Sequence, residues 1–132
     1  MTVPAPDEAP IYAVRLALSA RETLLQERAR QSAAAGPAQA DAWYAAMLET
    51  LRSLATYPQR CPIAPENALL PGLTVRQRFH GQRRAAWRLL FTIHDADAND
   101  PPTVRVHHIR HSAQQPLAAW VAEDPDADNP ST

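Results

Sequence analysis

The sequence predicts an α+β fold in which a helix hairpin packs on a small, mostly antiparallel twisted sheet, in the order β-α-α-β-β-β with a short C-terminal helix. Two observations support this prediction. Residues 73–111 contain three segments in which apolar and polar or basic side chains alternate, which is typical of strands. Residues 19–57 carry apolar side chains at helical spacing, and Gly36-Pro37 divides them into two helices.

The chain length predicts one domain. With 132 residues, of which 45% are hydrophobic, the chain can form one core but not a second. We expect a flexible arm over residues 1–10, a single domain over residues 11–122 and an acidic, disordered tail over residues 123–132. The single Cys61 cannot form a disulfide within the chain, and no apolar run approaches about 18 residues. These features predict a soluble cytoplasmic protein.

The first strand and the first helix follow one another directly. Residues 11–18 alternate in polarity, as a strand does. Ser19 and Glu22 have the spacing of a capping box, in which each side chain bonds the other residue's backbone amide, so the helix should begin there. It should end near Ala35, because glycine suits the position after a helix and proline cannot extend one.

The second helix is predicted from about Ala38 to before Pro58, antiparallel to the first. Residues 58–71 contain four prolines and form an irregular crossing, with one helical turn near residues 66–69. Residues 112–121 then form the short closing helix, with Pro116 in its first turn. The helices are long enough to act as a crossover, so the first strand should lie parallel to the last.

The three later strands cover residues 73–80, 85–94 and 103–110. Alternation gives each strand two faces. We expect the apolar residues of the first two strands to share the core face and their arginines to share a basic face. Arg88 should therefore lie beside Arg76 or Arg78 across the hairpin and be exposed, so that its removal should cost little stability. The alternative is that Arg88 is an ion-pair residue, with Glu66 or Asp95 as its partner.

Charge is distributed unevenly along the chain. Residues 72–111 hold seven arginines, three aspartates and all five histidines, whereas residues 123–132 hold four acids and no base. The net charge of −1 therefore hides a basic sheet, which favours an anionic partner or an acidic protein partner. All thirteen basic residues are arginine, so lysine cannot serve in proton transfer.

Residues 11–117 resemble the RelE/ParE toxins of bacterial type II toxin–antitoxin systems, also described as plasmid stabilisation proteins. Several short segments carry the resemblance, and their order along the chain matters more than any one of them. They are the strand and helix start at residues 12–20, the helix end Trp43, Leu51, Leu54 and Tyr57-Pro58, the pair Arg76 and Arg78, Trp87-Arg88-Leu89 where the family commonly has Tyr-Arg-Ile, and Ile109-Arg110-His111.

The resemblance implies a growth-inhibiting toxin and leaves three hypotheses open. A RelE-like toxin is a ribosome-associated mRNA endonuclease, and a ParE-like toxin poisons DNA gyrase by contact. A degenerate, non-toxic member would act through protein interactions alone. The long helix hairpin and the missing lysines favour the gyrase hypothesis over the nuclease hypothesis. The glutamines at Gln114-Gln115, where relatives often carry arginine, also count against nuclease activity.

For the nuclease hypothesis, the resemblance implies a metal-free cleavage of RNA in which the 2′-hydroxyl attacks the neighbouring phosphate. Arg88, Arg76 and Arg78 would bind the phosphate charge, because guanidinium groups grip phosphate oxygens. His111 would transfer protons, with His108 or His80 as less favoured candidates. Further phosphate- or target-binding residues would be Arg83, Arg84, Arg110 and His108.

Partners and cofactors follow from the same resemblance. It implies a cognate antitoxin that adds along the sheet or the helix hairpin, a ribosome with mRNA or DNA gyrase as target, and a homodimer or a toxin–antitoxin hetero-oligomer. We expect no cofactor and no membrane contact. His107-His108 has metal-ligand side chains, but no further ligand lies at a suitable spacing, so we also expect no metal.

Overall fold

The computed structural model describes residues 10–81 and 86–120 of the chain. Most of the predicted N-terminal arm and the whole predicted acidic tail lie outside these residues. Within them the order of the elements is the predicted one. The elements are β1 (Ala13–Leu16), α1 (Leu18–Ala35), α2 (Pro37–Ser53), single 3₁₀ turns at Pro58–Arg60 and Pro65–Leu69, β2 (Arg76–His80), β3 (Trp87–His94) and β4 (Thr103–His111).

The four strands form one mixed sheet in the order β1-β4-β3-β2. β1 pairs with β4 in parallel, with Ala13 opposite Thr103 and Leu16 opposite Val106, while the other two pairings are antiparallel. The parallel pairing confirms the sequence prediction, because the two helices form the long connection that parallel strands require. β1 and β2 are the two edge strands.

The start of α1 differs from the prediction. The helix begins at Leu18 after Ala17, and no side chain caps it. The backbone N–H of Ala17 donates to the carbonyl oxygen of Val106 at 2.9 Å, which holds the chain extended up to that residue. Ser19 therefore lies inside the first turn, and its hydroxyl contacts His108 Nδ1 at 3.4 Å instead of closing a capping box with Glu22.

The two helices are joined through Gly36, as predicted. Gly36 has φ 95° and ψ 159°, a backbone conformation that only glycine adopts without strain. Arg28 of α1 pairs with Asp41 of α2 at 2.7 Å and lies 4.4 Å from the ring centre of Tyr44. Because these contacts join α1 to α2 across so short a connection, the two helices must run antiparallel.

The sheet has two covered faces. We call the face that packs on the helices the helix face, and its buried residues include Leu89, Phe91, Val104, Val106 and Ile109. We call the opposite face the far face. There Val75 and Leu90 are buried beneath Ala64, Leu70, Leu117 and Trp120, which belong to the irregular segments. The far face is therefore not an open basic surface at this point.

A bulge interrupts the pairing of β3 with β4. Phe91 pairs with Val106 and Leu90 pairs with His108, so His107 is the extra residue. The bulge places both His107 and His108 against the ring of Trp120, with ring centres 5.2 and 4.9 Å apart respectively.

The predicted closing helix does not form in residues 112–120, which contain turns and irregular backbone. The Gln114 side chain accepts a hydrogen bond from the His111 N–H, and the Leu117 N–H donates to the Glu66 carboxylate at 3.2 Å. The second of these bonds uses a backbone N–H that a helix would need, and Pro116 supplies no N–H. Residue 121, the last of the predicted helix, lies outside the described residues.

Among the helices of residues 10–81 and 86–120, none is long and apolar enough to cross a membrane.

Candidate functional site

The register of β2 with β3 separates the predicted arginines. Arg76 lies opposite Phe91 and Arg78 opposite Leu89, so both arginines lie on the helix face. Arg88 lies opposite Phe79, on the far face. The prediction that Arg88 neighbours Arg76 or Arg78 is therefore wrong, because the apolar residues of β2 do not share the face of Leu89 and Phe91.

Arg88 forms a buried ion pair. Its terminal nitrogens donate to the two Glu66 oxygens at 2.6 and 3.0 Å, and its Nε donates to Gln77 Oε1 at 3.0 Å. Arg88 is 6% exposed and Glu66 is 1% exposed. The prediction of an exposed Arg88 is wrong, and the alternative of an ion pair with Glu66 is the arrangement observed.

The surroundings of Glu66 explain its ionised state. Burial by itself raises the pKa of Glu66, but hydrogen bonds from Arg88 and from the Leu117 backbone outweigh it, so the pKa lies below its ordinary value. Glu66 thus connects the 3₁₀ turn that contains it, strand β3 and the segment after β4.

Three of the predicted residues do come together. His108, Arg110 and His111 line a cleft of about 520 Å³ between the end of β4 and α1, which we call the α1–β4 cleft. The α1 side contributes hydroxyl, amide and charged side chains. They are Ser19, Thr23, Gln26, Glu27 and Arg30.

Among the residues that the structure describes, Glu27 is the one acid that lines the α1–β4 cleft. It accepts hydrogen bonds from Arg30 at 2.8 Å and from Gln31 at 3.0 Å. The hydrogen bonds from Arg30 lower its pKa, so Glu27 is a poor proton acceptor near neutral pH. Sequence analysis did not select this residue. Its spacing from Arg30 is that of an ordinary helical ion pair, which carries no signal of a site.

The histidines of the α1–β4 cleft differ in their environments. His111 Nδ1 accepts a hydrogen bond from the Ala113 N–H at 3.2 Å, so the neutral ring carries its proton on Nε2. Its ring meets the Trp87 ring edge to face at 5.2 Å. Burial, and next the charge of Arg110, lower the pKa of His108, which is therefore neutral at physiological pH.

The remaining predicted residues lie elsewhere. Arg76 donates to the Cys61 carbonyl oxygen at 2.7 Å and so holds the chain crossing against β2. His80 Nδ1 lies 2.6 Å from the Thr50 hydroxyl of α2, and burial lowers the pKa of its ring. Arg83 and Arg84 lie outside the described residues.

A second histidine cluster lies on the far face. The Thr92 hydroxyl is 2.7 Å from His94 Nε2 and 2.9 Å from His107 Nε2. Burial lowers the pKa of His107 to about 4, so its ring is neutral at physiological pH. The sequence could not reveal this cluster, because His107 reaches Thr92 only through the bulge. In the part of the chain that the structure describes, no three potential ligands lie close enough to hold a metal ion.

The described residues do not bring the predicted catalytic side chains together at one place. RNA cleavage needs a base, an acid and cations around one phosphate. Here Arg88 is neutralised by Glu66, whereas Arg76 and Arg78 lie on the other face of the sheet from it. His111 and Arg110 share the α1–β4 cleft with none of these three arginines. The described residues therefore gather one arginine from the predicted set beside the histidines.

Two comparisons with known proteins bear on this chain. The model of a protein family described as the ParE toxin of the type II toxin–antitoxin system parDE matches residues 14–116. The matched region runs from β1 through the whole of β4. No curated protein matches the chain.

Proposed function

We propose that this chain, which belongs to the ParE toxin family of type II toxin–antitoxin systems, inhibits growth by binding DNA gyrase and performs no chemistry. Membership of the family makes the chain a toxin component of such a system. The target, the neutralisation by a cognate antitoxin and the cytoplasmic site of action are parts of the proposal.

The ion pair between Arg88 and Glu66 is the observation that carries the proposal. A nuclease needs cations that are free to bind the transition-state phosphate. The Arg88 guanidinium is instead buried and bound to a carboxylate at 2.6 Å. A protein that acts by binding alone does not need free cations at a phosphate. The buried pair of Arg88 and Glu66 can instead hold the surrounding surface rigid.

The α1–β4 cleft is the surface that we assign to target contact. It offers the Arg110 and Arg30 guanidinium groups, hydroxyl groups of α1 and an aromatic wall formed by Trp87. Arginine and tryptophan are enriched among the residues that dominate protein interfaces. We therefore propose Arg110, His108 and His111 as target-binding residues, and we add the predicted Arg83 and Arg84 to that set.

An mRNA endonuclease is the second candidate. The same cleft holds His111, whose Nε2 carries a proton, next to Arg110. These groups could supply an acid and one cation. The neutral His108 would have to act as the base, and its buried environment lowers its affinity for a proton. The second guanidinium group of the cleft, that of Arg30, is bound to Glu27, so the described residues of the cleft supply only one unpaired cation and we rank the candidate second.

The experiment compares the two targets with the same preparation. Purified chain is added to DNA gyrase with relaxed plasmid and, separately, to translating ribosomes with a reporter mRNA. We expect loss of supercoiling or double-strand breaks, with inhibition that follows binding occupancy, and no cut mRNA. Cleavage at fixed codon positions at substoichiometric amounts of the chain would instead establish the endonuclease.

Matched variants locate the contact. Arg110→Glu should weaken inhibition by roughly tenfold or more, since a guanidinium at an interface centre contributes about 1–2 kcal/mol or more. Arg21→Glu on α1 changes the net charge equally and should leave inhibition unchanged. If neither target responds and expression in an antitoxin-free host is harmless, the chain is a non-toxic family member and the proposal fails.

The proposed antitoxin is tested by co-expression with the neighbouring open reading frame. An antitoxin should restore growth and co-purify with the chain, because a tight ligand removes free toxin by mass action. Growth arrest that persists in the presence of every neighbouring gene product would contradict neutralisation by a linked antitoxin.

A further inference from the structure

Two arginines lie side by side on the far face, at the join of β1 and β4. The parallel register places Arg15 of β1 opposite Arg105 of β4, and Arg105 lies opposite Thr92 of the far face. Side chains at paired positions of neighbouring strands project to the same side of the sheet, and like charges at such positions oppose the pairing. Carboxylates close to both arginines would relieve this repulsion.

The two arginines line a pocket of about 260 Å³, which we call the β1–β4 pocket. Asp95, Asp97 and Asp100 of the loop between β3 and β4 also line it. Asp97 accepts the N–H groups of Asn99 at 2.7 Å and of Asp100 at 2.8 Å, so its carboxylate holds the loop itself. Among the ion pairs of the described residues, none joins Arg15 to these aspartates or to any other acid.

The chain after β4 runs along the far face towards the β1–β4 pocket. The Gln115 carbonyl oxygen accepts a hydrogen bond from Arg110 at 2.9 Å, and Trp120 packs on the two histidine rings at the bulge. As the chain advances from residue 115 to residue 120, its contacts therefore move from position 110 of β4 back to positions 107 and 108. Arg105 is the next far-face residue of β4 in the same direction.

The sequence supplies carboxylates directly after Trp120. Residues 121–132 lie outside the described residues and contain four acids and no base; the acids are Glu123, Asp124, Asp126 and Asp128. An extended chain advances about 3.3–3.6 Å per residue, so Glu123 can lie about 10 Å beyond Trp120. Arg105 is only about 7 Å from His107 along the strand, and β1 lies about 5 Å further to the side. Both arginines are therefore within reach of these carboxylates.

We propose that the acidic segment of residues 123–132 binds back on the far face of its own sheet, where its carboxylates pair with Arg15 and Arg105 and block the β1–β4 pocket for polyanions. The pairing relieves the repulsion between the two arginines and so holds β1 to β4. It also covers guanidinium groups that bind phosphate oxygens when they are free. The β1–β4 pocket is separate from the α1–β4 cleft, so the inference does not depend on the target of the toxin.

The composition that predicts a disordered tail is compatible with this contact. A segment that is too polar to form a core of its own can still be held by ion pairs to a folded surface. Its covalent attachment gives it an effective concentration of roughly millimolar or more at the β1–β4 pocket. A nucleic acid, or the acidic segment of a second copy, offers similar charges but has to compete from a much lower concentration.

The test measures how tightly a fluorescent single-stranded DNA oligonucleotide binds to two full-length variants of equal charge. In the tail variant, the acids at residues 123, 124, 126 and 128 are replaced by their amides. In the control variant, the same change is made at four other acids, Asp7, Glu8, Glu22 and Glu49. We expect the tail variant to bind roughly tenfold or more tightly than the control variant, because it alone frees the two arginines for phosphate groups. Equal affinity of the two variants overturns the proposal.

Reversal of one charge assigns this gain to the β1–β4 pocket. Arg15→Glu in the tail variant should remove the gain in DNA affinity, because it removes one of the two freed arginines. Arg21→Glu changes the charge of the tail variant equally, but Arg21 lies on α1 outside the pocket, so most of the gain should remain. A gain that persists with Arg15→Glu shows that the DNA is bound elsewhere and contradicts the proposal.

NMR of the isotope-labelled full chain tests the contact without nucleic acid. Arg15→Glu should shift the amide resonances of residues 123–128, and Arg21→Glu should not. The tail variant should in turn shift the amides of Arg15 and Arg105, which keeps the contact testable even if Arg15→Glu fails to fold. Amides that do not respond overturn the proposal. A dimer in sedimentation that dissociates in the tail variant would place the segment on a second copy and overturn it too.

Discussion

The Arg88 guanidinium and the Glu66 carboxylate face each other through two hydrogen bonds of 2.6 and 3.0 Å in the interior of the protein. The two residues are separated by 22 positions in the chain, and the pair joins the crossing segment to the centre of the sheet. Removal of one partner leaves the other charge buried without compensation, which is far more costly than the loss of an exposed pair.

We therefore expect Arg88→Ala to destabilise the protein by about 3–5 kcal/mol. Urea unfolding monitored by tryptophan fluorescence measures this loss. Arg21→Ala serves as the control and should change stability by less than about 0.5 kcal/mol. The double variant Arg88→Met with Glu66→Leu should recover most of the loss, because it removes both charges. An Arg88→Ala protein as stable as the parent would disprove the structural role of the pair.

Glu66 should make stability sensitive to acid. Its folded pKa lies below its ordinary value, since the hydrogen bonds from Arg88 outweigh burial. The stability that this shift contributes is fully present above the unfolded value of about 4.3 and is lost as the pH falls through the lower folded pKa. Below about pH 4 the stability of Glu66→Gln should therefore depend less on pH than that of the parent. Glu49→Gln on the exposed side of α2 is the control and should retain the parent slope.

His107 should also make the stability of the protein fall as the pH decreases, but in a higher pH range than Glu66. Its pKa is lowered from 6.5 to about 4 by burial, so the unfolded chain binds a proton in this window before the folded chain does. Stability should fall as the pH decreases from 6.5 to about 4, by about 3 kcal/mol in total from this residue. His107→Gln should flatten the profile of thermal unfolding between these values. A ring of His107 that titrates near its ordinary pKa in an NMR experiment would contradict this expectation.

Gly36→Ala should destabilise the helix connection. A Cβ atom at Gly36 meets no other atom within 4 Å, so the cost arises from the backbone angle alone. The conformation with φ 95° is essentially restricted to glycine, and we expect a loss of roughly 1–3 kcal/mol. Differential scanning calorimetry can measure it, with the exposed Ala38→Ser as control. An unchanged melting temperature would show that the loop relaxes to another conformation.

The sequence was a good guide to elements that depend on local signals. Gly36-Pro37 marks the end of α1 and the start of α2, and the alternating segments correspond to β2, β3 and β4. The parallel pairing of β1 followed from the length of the helical connection. The 3₁₀ turn at Pro65–Leu69 agrees with the helical turn expected near residues 66–69.

Sequence analysis could not predict on which face of the sheet each side chain of β2 lies. Apolar alternation identifies the core side of a strand only when one face is covered, and here both faces are covered over part of their area. Val75 is buried on the far face, while Phe79 on the same face is exposed. The partner of Arg88 could be named as an alternative because Glu66 is an acid in the crossing segment. That Arg88 pairs with Glu66 and not with Asp95 depends on the fold of the crossing segment, whose sequence has no periodic pattern.

The parallel pairing of β1 with β4 has a consequence for the synthesis of the toxin. The first strand can join the sheet only after Thr103 has been synthesised, because Thr103 is the partner of Ala13 and lies ninety positions later in the chain. At a rate of about 5–20 residues per second, the ribosome needs roughly 5–20 s to make the intervening chain. The α1–β4 cleft, which requires the end of β4, forms later still. The nascent toxin therefore lacks its proposed target-binding surface until β4 has been synthesised.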